Sequence, residues 1–459
     1  MLFAKKSLTA EEQHRRMTQT PMPRLIAAMA IPTVASQLIT IVYNTADTYF
    51  VSHIDTSASA AVGVAFSLMS IIQAIGFGVS MGAGALISRK LGEKKNEEAA
   101  VYANSGLAIT LALGFIILAL GLEFLAPLMR LLGATETMLG YCCDYARWIL
   151  LAAPISCASF LLNNVLRAEG ESVLSMLGLC VGGVVNIALD PLFIFKFGMG
   201  TAGAALATAV SQTLSLGLLL FFFLGRKTII KLDFRKISRR SRIYFDIVRV
   251  GFPTIIRQGM ASIASALLNN AAGSLGDDAA TAAVTIANKV YMLVRSIVLG
   301  IGQGFQPVAG YNYGAGDFKR VRQAFRVSCY IGTAFCVFAA ALIYPFSESV
   351  MSWFRNDPLV IEIGTKALRW FCIAMPFLAY STFVNQMYQC LGFTFVATLL
   401  ASCRQGIFFI PYILITPSLM GIASIQTVQP ATDLMTFLVS VPFQIYFFKS
   451  VLKKKEKLQ

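Results

Sequence analysis

Residues 176–195 read MLGLCVGGVVNIALDPLFIF. Apart from Asn186 and Asp190 the run is apolar, and its length is what an α-helix needs to cross about 30 Å of hydrocarbon at 1.5 Å per residue. Runs of the same kind recur along the whole chain. With 56% hydrophobic and 13% charged residues, the composition lies far from that of a soluble domain. The short alternating segments of a β-barrel are missing, so the chain reads as an all-α integral membrane protein. Twelve transmembrane helices are predicted near 24–53, 59–88, 98–124, 141–167, 172–196, 202–225, 246–275, 280–312, 322–346, 361–391, 394–416 and 421–448.

The formal charge of +15 is explained by where the basic residues fall. Lys5, Lys6, Arg15, Arg16 and Arg24 precede the first span, Arg89, Lys90, Lys94 and Lys95 follow the second, and Arg167 follows the fourth. The run RKTIIKLDFRKISRRSRIYFDIVR separates spans six and seven. Lys319, Arg320, Arg322 and Arg326 follow the eighth, Arg404 lies near the start of the eleventh, and Lys449, Lys453, Lys454, Lys455 and Lys457 end the sequence. All fall on one side if both termini are cytoplasmic, and the opposite loops hold only Arg130, Lys196 and Arg355. The positive-inside rule therefore orients the chain. Lipid is the expected partner of this surface and nucleic acid is not.

The first 23 residues carry charge throughout and lack the apolar core of a signal peptide, so they read as a cytoplasmic tail. Nine cysteines are scattered through apolar spans without a Cys-x-x-Cys pair, and the two histidines, His14 and His53, lie far apart. Neither a disulfide framework, a zinc site nor a catalytic triad is expected. The chain does not read as an enzyme.

An internal repeat organises the spans. Ile31-Pro32-Thr33 with Gln37 recurs 221 residues on as Phe252-Pro253-Thr254 with Gln258. Arg147-Trp148, Pro154, Asn163 and Gly170 recur as Arg369-Trp370, Pro376, Asn385 and Gly392, each shifted by 222, and the loop glycine Gly92 matches Gly314. The expected organisation is a cytoplasmic tail (1–23), an N-lobe of six spans (24–225), a basic cytoplasmic linker (226–245), a C-lobe of six spans (246–448) and a basic tail (449–459). An even number of spans gives the two lobes the same orientation, with their pseudo-two-fold axis along the membrane normal. That geometry suits a transporter whose lobes rock about a central cavity.

The repeat also isolates what is not repeated. Asp47 in IVYNTADTYFV falls opposite Leu268 or Asn269, and Asp190 opposite Ile410. Acids inside a bilayer are unfavourable and mark ion or substrate pathways. Tyr43, Asn44 and Asp47 share one helix face, Asn186 lies one turn before Asp190, and Thr208 and Gln212 form a similar pair in span six. Asn163 and Asn164 add amides from span four, and Pro191 leaves the carbonyl of Ile187 without its helical donor. These residues describe a pocket of hard oxygens with two carboxylates, able to bind a small cation such as Na+ or to hold a proton. Pro32, near the inner end of span one, marks a point where that helix can bend.

NTADTYFVS, SMGAGALISRKLGEKKNEEA, NIALDPLFIF and GQGFQPVAGYNYGAGD, set within this repeat, resemble the multidrug and toxic compound extrusion (MATE) family from about residue 25 to 448. The resemblance implies a secondary active antiporter that exports organic, often cationic, compounds against entry of Na+ or H+, with no other cofactor. It implies a monomer in a bacterial cytoplasmic membrane. It further implies that the coupling pocket is built from Asp47, Asn186, Asp190 and Thr208, with Tyr43 nearby. Other members place coupling acids in spans seven and ten. Here span seven carries Arg257 ahead of the loop acids Asp277 and Asp278, and span ten has no acid between Arg369 and Gly392, so coupling is expected in the N-lobe. Lys289 and Arg295 of span eight are candidates for the cavity, and Asp433 of span twelve for a partner to one of them or to Arg257. A lipid-linked saccharide flippase, which would want a basic cavity, and another twelve-helix carrier are the alternatives.

Overall fold

The computed structural model describes residues 9–54, 56–225, 228–275 and 278–453, and among these all regular structure is helical. The remaining parts of the expected tails and linker, and Asp277, lie outside the described residues. The N-lobe spans are α2 (Met22–Val51), α3 (Thr56–Gly92), α4 (Asn96–Glu123), α6 (Leu139–Ala168), α7 (Ser172–Pro191) and α8 (Gly200–Leu224). Those of the C-lobe are α9 (Ser241–Ser274), α10 (Asp278–Gly314), α11 (Phe318–Ile343), α13 (Pro358–Cys390), the broken helix α14 and α15 (Thr394–Ser402 and Phe409–Ile415), and α17 (Ile422–Tyr446). Short helices α1 (Ala10–Gln19), α5 (Leu125–Leu131), α12 (Ser347–Phe354) and α16 (Pro417–Met420) complete the set.

Eleven of the spans are apolar enough to cross a membrane by length and composition. The other, α9, is 34 residues long, but its first turns, SRIYFDIVR, are charged, and they extend the helix back from the apolar stretch to Ser241.

The repeat is visible in the packing. Within the N-lobe α6 touches α3, α4 and α8, as α13 touches α10, α11 and α17 in the C-lobe. Between lobes α2 packs on α10 and α3 on α9, two contacts that exchange under the pseudo-two-fold. One apolar cluster runs through both lobes at the end that carries the basic residues, drawing on Met29, Leu86 and Leu166 of one and Val298, Phe305 and Met387 of the other. At the opposite end each lobe keeps its own cluster, around Tyr145 in the N-lobe and Phe409 in the C-lobe. The lobes are therefore sealed together at the basic end and separate at the other.

Glycines set the closest approach. A Cβ on Gly92 would lie 2.0 Å from the carbonyl oxygen of Tyr311, and one on Gly314 would lie 2.0 Å from that of Arg89. These are the same contact seen from the two sides of the pseudo-symmetry, as an isologous interface requires. Neither carbonyl can yield without moving a helix end. Gly92→Ala and Gly314→Ala should each lower stability by about 1–3 kcal/mol and lengthen the distance between spin labels placed on the basic ends of α3 and α10. Unchanged distances and unfolding midpoints would show that this contact does not hold the lobes together.

The charged N-terminal stretch, expected as a plain tail, folds as α1 and docks. Thr9 and Glu12 form a capping box, and Gln13 and Met17 are buried. Gln13 donates to the carbonyl of Glu169 in the N-lobe, while Asn312 and Arg320 of the C-lobe reach the carbonyls of Met17 (3.2 Å) and Thr20 (2.8 Å). The linker contacts the N-lobe: Asn104 accepts from the amide of Asp233 at 2.8 Å, Ser105 from that of Ser238 at 2.9 Å, and the Glu169 carboxylate from those of Ile229 and Ile230 at 3.1 and 2.8 Å.

Candidate functional site

The two N-lobe acids lie in the half of the lobe away from the basic end. Asp190 is fully buried and Asp47 is 4% exposed. Their approach depends on a pair of small residues in α7: a Cβ on Gly183 would strike Ile39 and Tyr43 of α2, and one on Gly182 would crowd Ser215 of α8. Two neighbours can thus press on α7 at once. The helix stays regular to Pro191 and then widens into a π turn over Leu192–Lys196. The missing amide of Pro191 disrupts the ladder where the turn begins.

Asn186 donates to Asp190 Oδ1 and lies equally close to Thr208 Oγ1, at 3.3 Å in each case. Asp47 and Asp190 lie within electrostatic range of each other. Tyr145 of α6 approaches Asp47 Oδ2 at 3.5 Å, on the same hydroxyl that sits 3.5 Å from Met69 Sδ. Three buried oxygens here, Asp47 Oδ1, Asp190 Oδ2 and Asn186 Oδ1, have no hydrogen-bond partner. Among the described residues no lysine or arginine pairs with either acid. The donor set of carboxylate, amide and hydroxyl oxygens suits a hard cation or a proton.

The other sequence candidates are placed as follows. Tyr43 lies beside Asp47 on α2, within electrostatic range of it, and Asn44 and Gln212 are half-buried on α2 and α8. Asn163 is engaged elsewhere: its amide donates to the Ser175 carbonyl at 3.1 Å and its oxygen accepts from the Ser175 hydroxyl, joining α6 to α7 nearer the basic end. Pro32 sits inside an unbroken α2. There Ser36 donates to the Pro32 carbonyl at 3.0 Å, and Thr33 reaches across the lobe boundary to the carbonyl of Gly300 at 2.7 Å.

The C-lobe has the opposite polarity. Asp433, fully buried, pairs with Arg404 at 2.5 Å, and Tyr291 hydrogen-bonds both, accepting from Arg404 at 2.9 Å and donating to Asp433. Its partner is therefore neither Arg257, Lys289 nor Arg295. Arg404 reads in sequence as a marker of the basic face, but a π turn over Cys403–Ile407 splits span eleven there and sets the guanidinium among α10 and α17. Arg257 and Arg295 lie within electrostatic range of Arg404, and Lys289 is exposed. Tyr145 and Tyr291 carry no distinguishing mark in the sequence, where charged residues flank both: Asp144 and Arg147 the first, Lys289 and Arg295 the second.

The MatE family model matches residues 32–192 and again 253–415, once in each lobe. The multidrug export protein MepA of Staphylococcus aureus is 24% identical over 419 residues, which cover 91% of this chain and 92% of MepA. A multidrug resistance MATE family transporter of the MOP superfamily, solved in an outward-facing conformation, superposes with a TM-score of 0.91 at 25% identity, covering 98% of this chain and 100% of that one. A MATE solved in a bent conformation superposes with a TM-score of 0.90 at 26% identity, covering 98% and 99%. The protein is accordingly a multi-pass membrane transporter and not an enzyme. With the two family matches spanning well over half of its length, the chain belongs to the MatE family.

Proposed function

We propose that the protein is a multidrug efflux antiporter of a bacterial cytoplasmic membrane, working as a monomer with both termini cytoplasmic. It exports organic cations in exchange for Na+ or H+, and Asp47, Asn186, Asp190 and Thr208 couple the ion to transport. The observation that carries this reading is the group of three unpartnered buried oxygens on Asp47, Asp190 and Asn186. Two carboxylates without a basic partner are unfavourable inside a membrane until a cation or proton reaches them. Entry of that ion from the open end satisfies them. Its release to the cytoplasm restores the charges and resets the lobes.

A ligand can shift the lobes only by binding the two states with different free energies. Inverting a 1:99 population requires about 5.5 kcal/mol. A bend in α2 at Pro32 supplies the moving part in this proposal, since Tyr43 and Asp47 lie on the stretch beyond it; the bent MATE conformation supports the idea. Distances between spin labels on α2 and α9 should change as sodium or pH is varied, and the change should be lost in Asp47→Asn. Identical distributions in wild type under all conditions would remove gating by this helix.

Ethidium efflux from everted vesicles, with sodium and proton gradients imposed separately, tests the function directly. Accumulation against its gradient under one of the two is expected, and none under either would defeat the antiporter reading. Arg257 and Arg295, gathered around Arg404, whose ion-pair partner is Asp433, favour a second reading, a lipid-linked saccharide flippase. Movement of a labelled lipid-linked sugar in liposomes, without ethidium efflux, would select it.

A further inference from the structure

Where α3, α6 and α10 meet at the sealed end of the cleft, a small cavity is lined by Ser88, Asn164, Arg167, Gln303 and Gln306. Arg167 is 7% exposed and Gln306 8%. The guanidinium donates across the lobe boundary from Nη1 to Gln303 Oε1, and its carbon lies 6.0 Å from the ring centre of Phe77. Its Nε has no partner, and neither does the Gln306 amide nitrogen. Both groups are obligate donors. Two buried donors therefore face this cavity, one from each lobe, with no acceptor.

The acids that directly follow α3 and α6 are used elsewhere. Glu169 accepts from Ile229 and Ile230, Glu171 pairs with Arg16 at 3.4 Å, and Glu93 pairs with Lys90 and Lys95. Among the described residues no carboxylate pairs with Arg167. A guanidinium cannot shed its proton to escape the cost of burial, so its charge persists in the interior and calls for a counter-ion.

The internal repeat shows that this charge is not needed to join helices. The residue 222 positions on from Arg167 is Gln389. Its neutral amide donates to Thr254 Oγ1 at 2.6 Å and to the Val250 carbonyl at 3.4 Å. Arg167 thus adds a positive charge to a position whose counterpart in the other lobe does its packing without one.

We propose that this cavity binds a small inorganic anion, chloride under cellular conditions, between the Arg167 guanidinium and the Gln306 amide. The cavity is small and favours a monatomic anion, somewhat larger than a water molecule, over a polyatomic one, and a single cation does not balance a dianion such as phosphate. Because the two donors belong to different lobes, the site is complete only while the basic end is closed. Chloride therefore favours the state open at the opposite end, whichever ion drives transport.

The test uses the full chain in detergent at fixed sodium and pH, with gluconate replaced by chloride or bromide. Wild type should bind radiolabelled chloride saturably, one ion per chain, and its unfolding midpoint should rise by several degrees in chloride over gluconate. Crystals grown in bromide should show an anomalous peak in the cavity. Arg167→Gln should lose both the binding and the shift. Gln306→Leu, which retains the guanidinium, should weaken chloride binding by about tenfold and keeps the test decisive if Arg167→Gln fails to fold. Absence of saturable chloride binding in wild type, or full affinity in Gln306→Leu, would overturn the site.

Discussion

Asp190→Asn and Asp47→Asn should each lower ion-driven efflux by roughly tenfold to a hundredfold, with insertion and unfolding midpoint close to wild type. The amide keeps the volume of the carboxylate and can still meet Asn186 or Tyr145, which touch the acids at 3.3 and 3.5 Å. It cannot exchange a proton or present a full charge to sodium. Contacts to a charged group contribute about 1.5–3 kcal/mol, which sets the size of the loss. Stability should hold because the substitution removes a buried charge that has no basic partner. Asn186→Ala and Thr208→Ala each remove one neutral oxygen, about 0.5–1.5 kcal/mol, and should appear mainly as a higher ion concentration for half-maximal transport. Near-normal transport by both purified Asp variants would end the proposal that the N-lobe couples the ion.

The second large effect is expected in the C-lobe, on stability. Asp433→Asn should destabilise the protein by about 3–5 kcal/mol, enough to deplete the folded transporter from membranes. Asp433 is fully buried and Arg404 nearly so, and among the described residues Asp433 is the one carboxylate paired with Arg404 and within electrostatic range of Arg295, while Arg257 lies near both guanidiniums. Removing it strands a guanidinium among like charges. Adding Arg404→Gln to Asp433→Asn should recover most of the loss, because the remaining pair is neutral and can still hydrogen-bond with Tyr291. Gel-filtration melting curves of the single and double variants measure both. A single variant that melts with wild type would show the pair to be energetically idle.

The spans were legible because a bilayer demands long apolar helices, and the two lobes because their prolines, asparagines and glycines recur at a nearly constant shift. Asn186 and Asp190 could be paired because helical spacing puts both on one face of α7, whereas the set that adds Asp47 and Thr208 rests on the resemblance to the MATE family, the packing of α2 and α8 against α7 having no local signal. Tyr145 could not, since it meets Asp47 across 98 residues of sequence and nothing local marks the contact. Arg404 was misread for a different reason. A basic residue within ten positions of a span's start looks like a cytoplasmic flank, and the π turn that carries it into the lobe breaks the regular period on which such a reading depends. The helix α1 has a local signal, since Thr9 followed three residues later by Glu12 is a helix start, but its docking has none in a stretch too charged to suggest burial.

The contacts of α1 also impose an order on assembly during synthesis. Gln13 can reach Glu169 as soon as the fourth span has been inserted, and the linker segment can close over Glu169, Asn104 and Ser105 once the N-lobe is complete. The grip of Asn312 on Met17 and of Arg320 on Thr20 spans 295 and 300 residues. At about 5–20 residues per second, the ribosome takes roughly 15–60 s to deliver those partners. A helix made ahead of all the spans is thus among the last to be fully held, and until then the N-lobe sits in the membrane with one side of α1 uncovered.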